Sequence, residues 1–415
     1  MRNRIRTFLA VLLGVHAWGY GQTNNLTGSP YSLFGLGVET NSNIGKNSSL
    51  GNGGYALRGT NFINDLNPAS FGAFNEKTFL YDIGFLVETS TISNRSNEER
   101  RIAGSISNLA FASSLSPRSA FGISVLPYSD VGYSLLGIEA NIEGSLDEFR
   151  SNIRGSGALN ELKLNYGYSV LDNVRAGVQL AYLFGSITED EDIFTRTSSL
   201  SISERNTYNG FRLGLGLQYD LNEKIGFGLK VDFPTSLSGS RDREVLKTLD
   251  LVNAFVEEEN DEDLSNFDLP LEIHQGLLYS FKNNLSLNLD YSLRFWDATN
   301  QVDNIGTFVD QYSVSLGAEY VVDDAGFKWW QRVHFRAGFE YDSGYLQIND
   351  RNIDSYRATA GIGLPIGIRS PSMINISFAR GNRGNTQGFL VAESFNTVNI
   401  NITLRDLWFL RRKVD

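Results

Sequence analysis

The chain has 415 residues, 47 acidic against 36 basic, with 41 Gly, 27 Phe and 18 Tyr but only 8 Pro, 2 Met and no Cys. Without Cys there is no disulfide scaffold, thiolate metal site, Cys nucleophile or lipid-anchor cysteine. The acidic balance argues against nucleic acid as a partner, and three His are too few for most His-based metal or triad chemistry.

The first residues read as an export signal. Arg2, Arg4 and Arg6 form a positive start, Thr7 to Trp18 an apolar run, and Gly19-Tyr20-Gly21 a small-residue cleavage site before Gln22. The alternative, a short membrane anchor, falls well below the roughly 20 residues a spanning helix needs. Cleavage near Gly21 removes His16 and leaves His274 and His334.

Residues 22–76 are different. They are rich in Gly, Asn and Ser, with Gly51-Asn52-Gly53-Gly54 and Asn67-Pro68-Ala69, and alternate weakly. A disordered linker is one reading. Yet Tyr31, Phe34, Tyr55, Leu57, Phe62, Ile63, Leu66 and Phe71 are too much apolar side chain for a solvated tail. A compact, loop-rich plug fits better.

Residues 77–415 alternate. Val174, Ala176, Val178, Leu180, Tyr182 and Phe184 face one way, and Arg175, Gly177, Gln179 and Ala181 the other. The split recurs over 211–220, 285–295 and 333–341. Strands are expected near 78–92, 102–116, 119–135, 158–170, 174–188, 207–220, 224–240, 270–282, 285–298, 311–323, 332–347, 353–368, 372–381 and 393–410, about 14 in all. Short links (Pro117-Arg118, Leu171-Asp172-Asn173, Asn222-Glu223, Asn283-Asn284, Ser370-Pro371) alternate with long polar ones: 93–101, 137–157, 189–206, 241–269, 299–310 and 382–392. A soluble sandwich alternates too, but it has no reason to keep that rhythm of periplasmic turns and extracellular loops. In hydrocarbon every backbone group must be paired internally, so only helices or closed barrels span. The fold expected is all-β: a transmembrane antiparallel β-barrel of about 14 strands with an N-terminal plug, or hatch. Stretches 137–146 and 193–203 are open between strand extension and loop. Phe295 and Trp296 at one rim, and Trp329, Trp330 and Trp408 at the other, suit interfacial girdles.

Three features bear on function. Pro127, followed by Tyr128, Ser129 and Asp130, interrupts the third strand; Pro cannot donate to a ladder, so either the strand kinks and loses a neighbour or it ends at Leu126. The polar face gathers both signs, including Arg175, Arg212, His274, Arg294, His334, Arg336 and Glu340, and reads as a self-paired lumen rather than an ion filter. The acidic run Glu257 to Asp263 lacks the glycine and spacing of a calcium loop, so a solvated loop is favoured over a cation site. No nucleophile elbow, phosphate-cradling loop or zinc motif is present, so no catalytic residue, cofactor or metal is assigned.

The hatch glycines with Asn67-Pro68-Ala69, the irregularity at Pro127, and the last strand Asn399 to Phe409 with its basic tail Arg411-Arg412-Lys413 resemble the FadL/TodX-type outer-membrane transporters of hydrophobic compounds. The ending looks like a divergent branch. The resemblance implies outer-membrane lipid around the wall, capture of a hydrophobic small molecule such as a long-chain fatty acid, and lateral exit at the third-strand kink through Pro127, Tyr128, Ser129 and Asp130. The alternative is a barrel that does not transport but serves as a subunit of an outer-membrane secretion or protein-assembly complex.

Overall fold

The computed structural model describes residues 27–40, 43–94, 97–141, 148–196, 198–249, 252–281, 284–301, 303, 306–367, 372–387 and 390–407. The signal-like segment 1–21, Trp408, Phe409 and the basic tail lie outside them.

A short strand in the hatch, β1 (Val38–Glu39), precedes the wall. The wall then runs β2 (Thr78–Ser93), β3 (Glu98–Ser116), β4 (Ser119–Asn141), β5 (Glu148–Leu171), β6 (Val174–Phe194) and β7 (Ser198–Asp220). The next two wall strands are each broken at a proline: β8 (Ile225–Asp232) continues past Pro234 as β9 (Thr235–Leu249), and β10 (Val252–Leu269) past Pro270 as β11 (Glu272–Phe281). The circuit is completed by β12 (Leu285–Arg294), β14 (Gln311–Val321), β15 (His334–Asp342), β18 (Ser355–Pro365), β19 (Met373–Arg383) and β20 (Ala392–Leu407). Three small strands, β13 (Gly306–Phe308), β16 (Leu346–Ile348) and β17 (Arg351–Asn352), form a separate sheet in the loops at the upper mouth.

Wall strands pair antiparallel with their neighbours, and β2 pairs with β20 from Thr78 opposite Leu407 to Ser93 opposite Ala392. The first and last strands thus join, and the sheet is a closed 14-stranded barrel. Burial is inverted relative to a soluble protein: Gln179 and Gln218 are 2% and 0% exposed, while their neighbours Leu180 and Leu217 are 40% and 43% exposed. An apolar exterior with a polar interior suits a wall in lipid. Among the described residues no helix is long and apolar enough to cross a membrane.

On β6 the outward positions are apolar from Val174 to Phe184, then turn to Ser186, Thr188, Asp190 and Asp192. An apolar stretch of that length is what a tilted spanning strand needs. The strands nevertheless continue beyond it. Stretches expected as long loops are ladder: β5 begins at Glu148, β6 runs to Phe194, and 241–269 is a bulged hairpin of β9 and β10. The acidic run is part of that hairpin, with Glu262 paired to Arg241 and Glu257 to Arg243, so it is solvated as expected but is cross-paired strand rather than loop. Charge density hid these strands, because alternation above the membrane is polar against polar.

Hatch residues sit inside the wall. Ile44, Ile63, Phe71 and Phe74 pack with Leu80, Ala112, Ala120 and Leu126; Leu50, Ala56 and Leu57 pack with Leu278. Wall glycines make the room. A Cβ on Gly177 would lie 2.3 Å from the Pro68 carbonyl carbon, and one on Gly216 would lie 2.2 Å from Asn67 Oδ1. The Asn67-Pro68-Ala69 turn therefore rests on bare backbone of β6 and β7. Asn67 caps the 3-10 helix Pro68–Ala73 by accepting from Ala69 N, with Pro68 in the first-turn position that needs no N–H.

Candidate functional site

The irregularity at Pro127 opens the wall. β3 and β4 pair only from Ser116 opposite Ser119 to Leu109 opposite Val125. Above Val125, β5 is the one wall strand among the described residues that pairs with β4, which has a bulge between Pro127 and Ser129 and runs on to Asn141 rather than ending at Leu126. The missing Pro127 N–H costs nothing there, since no β3 partner stands opposite.

The hatch occupies this slit from inside. Val38 and Glu39 pair with Asp130 and Ser129. Thr40 N donates to Tyr128 O at 2.9 Å, Thr40 Oγ1 to Pro127 O at 2.5 Å, and Ser129 Oγ to Leu36 O at 2.6 Å. Gly132 N donates to Ser32 Oγ at 3.0 Å. Backbone groups that β4 withdraws from β3 are thus taken up by the hatch, as buried groups must be. A cavity of ≈ 90 Å³ remains beside β1, lined by Val38, Leu86, Ile92 and Phe395 together with Glu88 and Glu393.

Lumenal charges pair with one another. Arg175 holds Asp220 at 2.8 Å, Arg212 holds Glu272 at 2.9 Å, and Arg357 holds Glu340 at 2.8 Å. Arg294 bridges Glu272 on the wall to Glu39 on the hatch, and Arg336 pairs with Glu319. His334 lies 3.3 Å from Asp324. The hatch motif is held by the same lining: Gly54 N and Tyr55 N donate to Asp290 at 2.8 and 3.0 Å, Gly51 N to Thr359 Oγ1 at 3.1 Å, and Asn52 Nδ2 to Glu340 at 3.0 Å. Ser315 Oγ donates to Gly51 O at 2.6 Å. Gly53 lies so close to Asp290 that a Cβ would fall 2.2 Å from its Oδ2.

His274 deserves a chemical test. Its Nδ1 is 2.8 Å from Ser292 Oγ, and its Nε2 is 3.2 Å from Glu272 and 3.4 Å from Asp232. That is the order of an acyl-transfer triad, and the two carboxylates with the imidazole also form a group close enough to share a cation. Neither chemistry is set up. Tyr55 stacks flat on the imidazole at 4.6 Å, and Arg212, Lys230 and Arg294 already supply positive charge to both carboxylates.

Beneath the upper loops the lumen is apolar but filled. Trp296, expected at a rim, is 3% exposed. It stacks on Phe308 at 5.5 Å and Tyr345 at 5.2 Å, with Phe267 edge-on at 6.4 Å, over Leu36, Leu159, Leu183, Leu237 and Leu269. β12 stops at Arg294, so Trp296 belongs to a loop folded over the mouth, where period 2 no longer sets its direction. Trp329 and Trp330, both half exposed, do lie at the opposite rim.

Solved structures with this architecture include two toluene transporters and a FadL homologue. The toluene transporter TodX of Pseudomonas putida is 14% identical, with a TM-score of 0.59 over 83% of this chain and 93% of that one. The toluene transporter TbuX of Ralstonia pickettii is 17% identical, with a TM-score of 0.53 over 82% and 92%. A FadL homologue of Pseudomonas aeruginosa is 12% identical, with a TM-score of 0.55 over 83% and 93%. At such identities the likeness establishes the fold, and the FadL/TodX-type resemblance read from the sequence holds at that level. No curated protein matches. The family model that matches does so from end to end, over residues 1–415, and its description is BamG. An outer-membrane barrel of FadL/TodX-type architecture, with its slit and its mouth filled by its own chain, is therefore what this sequence builds, and the chain belongs to the BamG family.

Proposed function

We propose that this barrel does not transport but serves as a membrane-embedded subunit of an outer-membrane protein assembly. The observation that carries the reading is the filled upper lumen: Trp296, Phe308, Tyr345 and Phe267 pack where an apolar ligand would otherwise be captured. Ligand pockets are usually preformed, at ≈ 300–1,000 Å³, whereas the cavity beside the slit is ≈ 90 Å³ and the charge-lined one behind Pro127 and Tyr128 is ≈ 170 Å³. The strands that rise beyond the apolar band supply a docking wall. Its lumen-side face carries Ile153, Ile193, Leu200 and Ile202, all half-buried.

The test is extraction of the tagged barrel in mild detergent, beside uptake of labelled long-chain fatty acid by cells. Envelope proteins should co-purify stoichiometrically and be lost on paired Ile193→Asp and Leu200→Asp substitution. Uptake should equal that of cells lacking the barrel. A partnerless barrel with saturable uptake overturns the reading.

A second reading, hydrophobic uptake with lateral exit beside Pro127, is favoured by one specific observation: the β3–β4 ladder does stop at Val125. It requires the hatch strand to leave Ser129 and Asp130 and the aromatic stack to part. The substrate class would then be a fatty-acid-like or aromatic hydrocarbon.

A further inference from the structure

At the turn end of the barrel a cavity of ≈ 450 Å³ lies between the hatch and the inner faces of β14, β15, β19 and β20. Lys46, Arg58, Arg336 and Arg405 line it against Glu319 and Asp324. These charges do not cancel. Arg58 is 3.0 Å from Asp220, Lys46 and Arg336 share the single carboxylate of Glu319, and Asp324 is 3.3 Å from His334. Arg405 is left with neutral acceptors: Nη1 donates to Asn61 Oδ1 at 2.7 Å and Nη2 to Thr78 Oγ1 at 3.3 Å. Its Nε is buried with no acceptor, and among the described residues no carboxylate stands in ion-pair range.

A guanidinium keeps its charge at any physiological pH, and a cation partly withdrawn from water without a counter-charge is costly. An oxyanion entering the cavity would meet the surplus charge and the outer edge of the Arg405 guanidinium, whose present acceptors, Asn61 Oδ1 and Thr78 Oγ1, are neutral, in the forked geometry that guanidinium groups offer to phosphate. We propose that this periplasm-facing pocket binds a phosphate group through Arg405, with Lys46 contributing from the hatch. Free phosphate and a phospholipid headgroup present the same chemistry.

The 3-10 helix Trp329–Arg332 brings Arg332 to the same cavity, and Trp329 Nε1 donates to the carbonyl of Pro365 in the cavity lining at 3.0 Å, so Trp329 serves as a reporter. The full barrel, purified in a non-ionic detergent at fixed ionic strength, is titrated with inorganic phosphate. In parallel, nanodiscs of phosphatidylglycerol are compared with nanodiscs of a phosphate-free glycolipid. A saturable change in tryptophan emission is expected with at least one source, and which one responds identifies it. Arg405→Gln should weaken the response at least tenfold, with heat-modifiable mobility confirming a closed barrel. Lys46→Gln, on the hatch and outside the wall, should weaken it severalfold, and it carries the test if Arg405→Gln does not fold. No saturable response from either source, an equal response to chloride, or wild-type titrations in the folded variants would overturn the proposal.

Discussion

Replacing Trp296 by Ala tests whether the upper lumen is packed core or a resting pocket. The side chain is 3% exposed and touches three other aromatic rings, with centroids 5.2 to 6.4 Å away. Truncating a buried Trp costs about 3–5 kcal/mol, transfer and cavity together. The void left is of the order of the ~150 Å³ engineered cavities that stay dry and admit benzene. Trp296→Phe is the control: Trp296 Nε1 is buried without an acceptor among the described residues, so Phe removes that penalty along with some volume, and the net change should stay within about 1.5 kcal/mol. Urea unfolding in detergent, followed by far-UV circular dichroism, measures both. Toluene should raise the midpoint of Trp296→Ala and leave the wild type unmoved. If toluene stabilises the wild type equally, or if the Ala variant loses less than about 1 kcal/mol, the lumen is an accessible pocket and the sealed-barrel reasoning fails.

Other outcomes follow from the hatch and its supports. Gly177→Val should push the Asn67-Pro68-Ala69 turn off β6, since even a Cβ would overlap the Pro68 carbonyl carbon; limited proteolysis should then cut within 27–76 while the closed wall persists. Asp290→Ala strips the acceptor from Gly54 N and Tyr55 N, a loss of about 2–5 kcal/mol to hatch docking, read as faster amide exchange at those residues with little change in wall exchange. The hydrogen bond from His334 holds the Asp324 carboxyl below the usual carboxylate range. A lowered acid contributes stability that is complete above its unfolded value near ~4 and fades as pH falls through the folded one. Emission from Trp329 and Trp330 should therefore stay constant from neutrality down to about pH 4, shift below it, and lose that acid step in Asp324→Asn.

The wall was legible because lipid imposes period 2 with apolar side chains outward, and Val174 to Phe184 or Leu285 to Phe295 display it without help from tertiary context. Where lipid ends, that constraint ends. Residues 189–206 and 241–269 kept their ladders but lost the apolar half of the signal, and they read as loops. Trp296 was misassigned for a related reason: aromatic character near a strand end suits a girdle as well as a folded-over cap. Pro127 announced a local fault, since a proline inside an otherwise regular strand demands a bulge or a missing neighbour. What fills the fault was not legible, because Val38 and Glu39 carry no pattern that names Asp130 and Ser129 as partners. Gly177 and Gly216 looked like small lumenal residues, and only the approach of Asn67 and Pro68 explains why nothing larger stands there. Arg405 stands on the lumenal side of the last strand, but which groups surround it depends on neighbours drawn from distant parts of the chain.

The hatch lies near the beginning of the polypeptide yet is gripped by residues as late as Glu393 and Arg405. Contents and staves of this container therefore share one set of long-range contacts, and neither is complete without the other. The seam between β2 and β20 joins segments roughly 300 residues apart in the chain, and long-range pairing of that kind is slow.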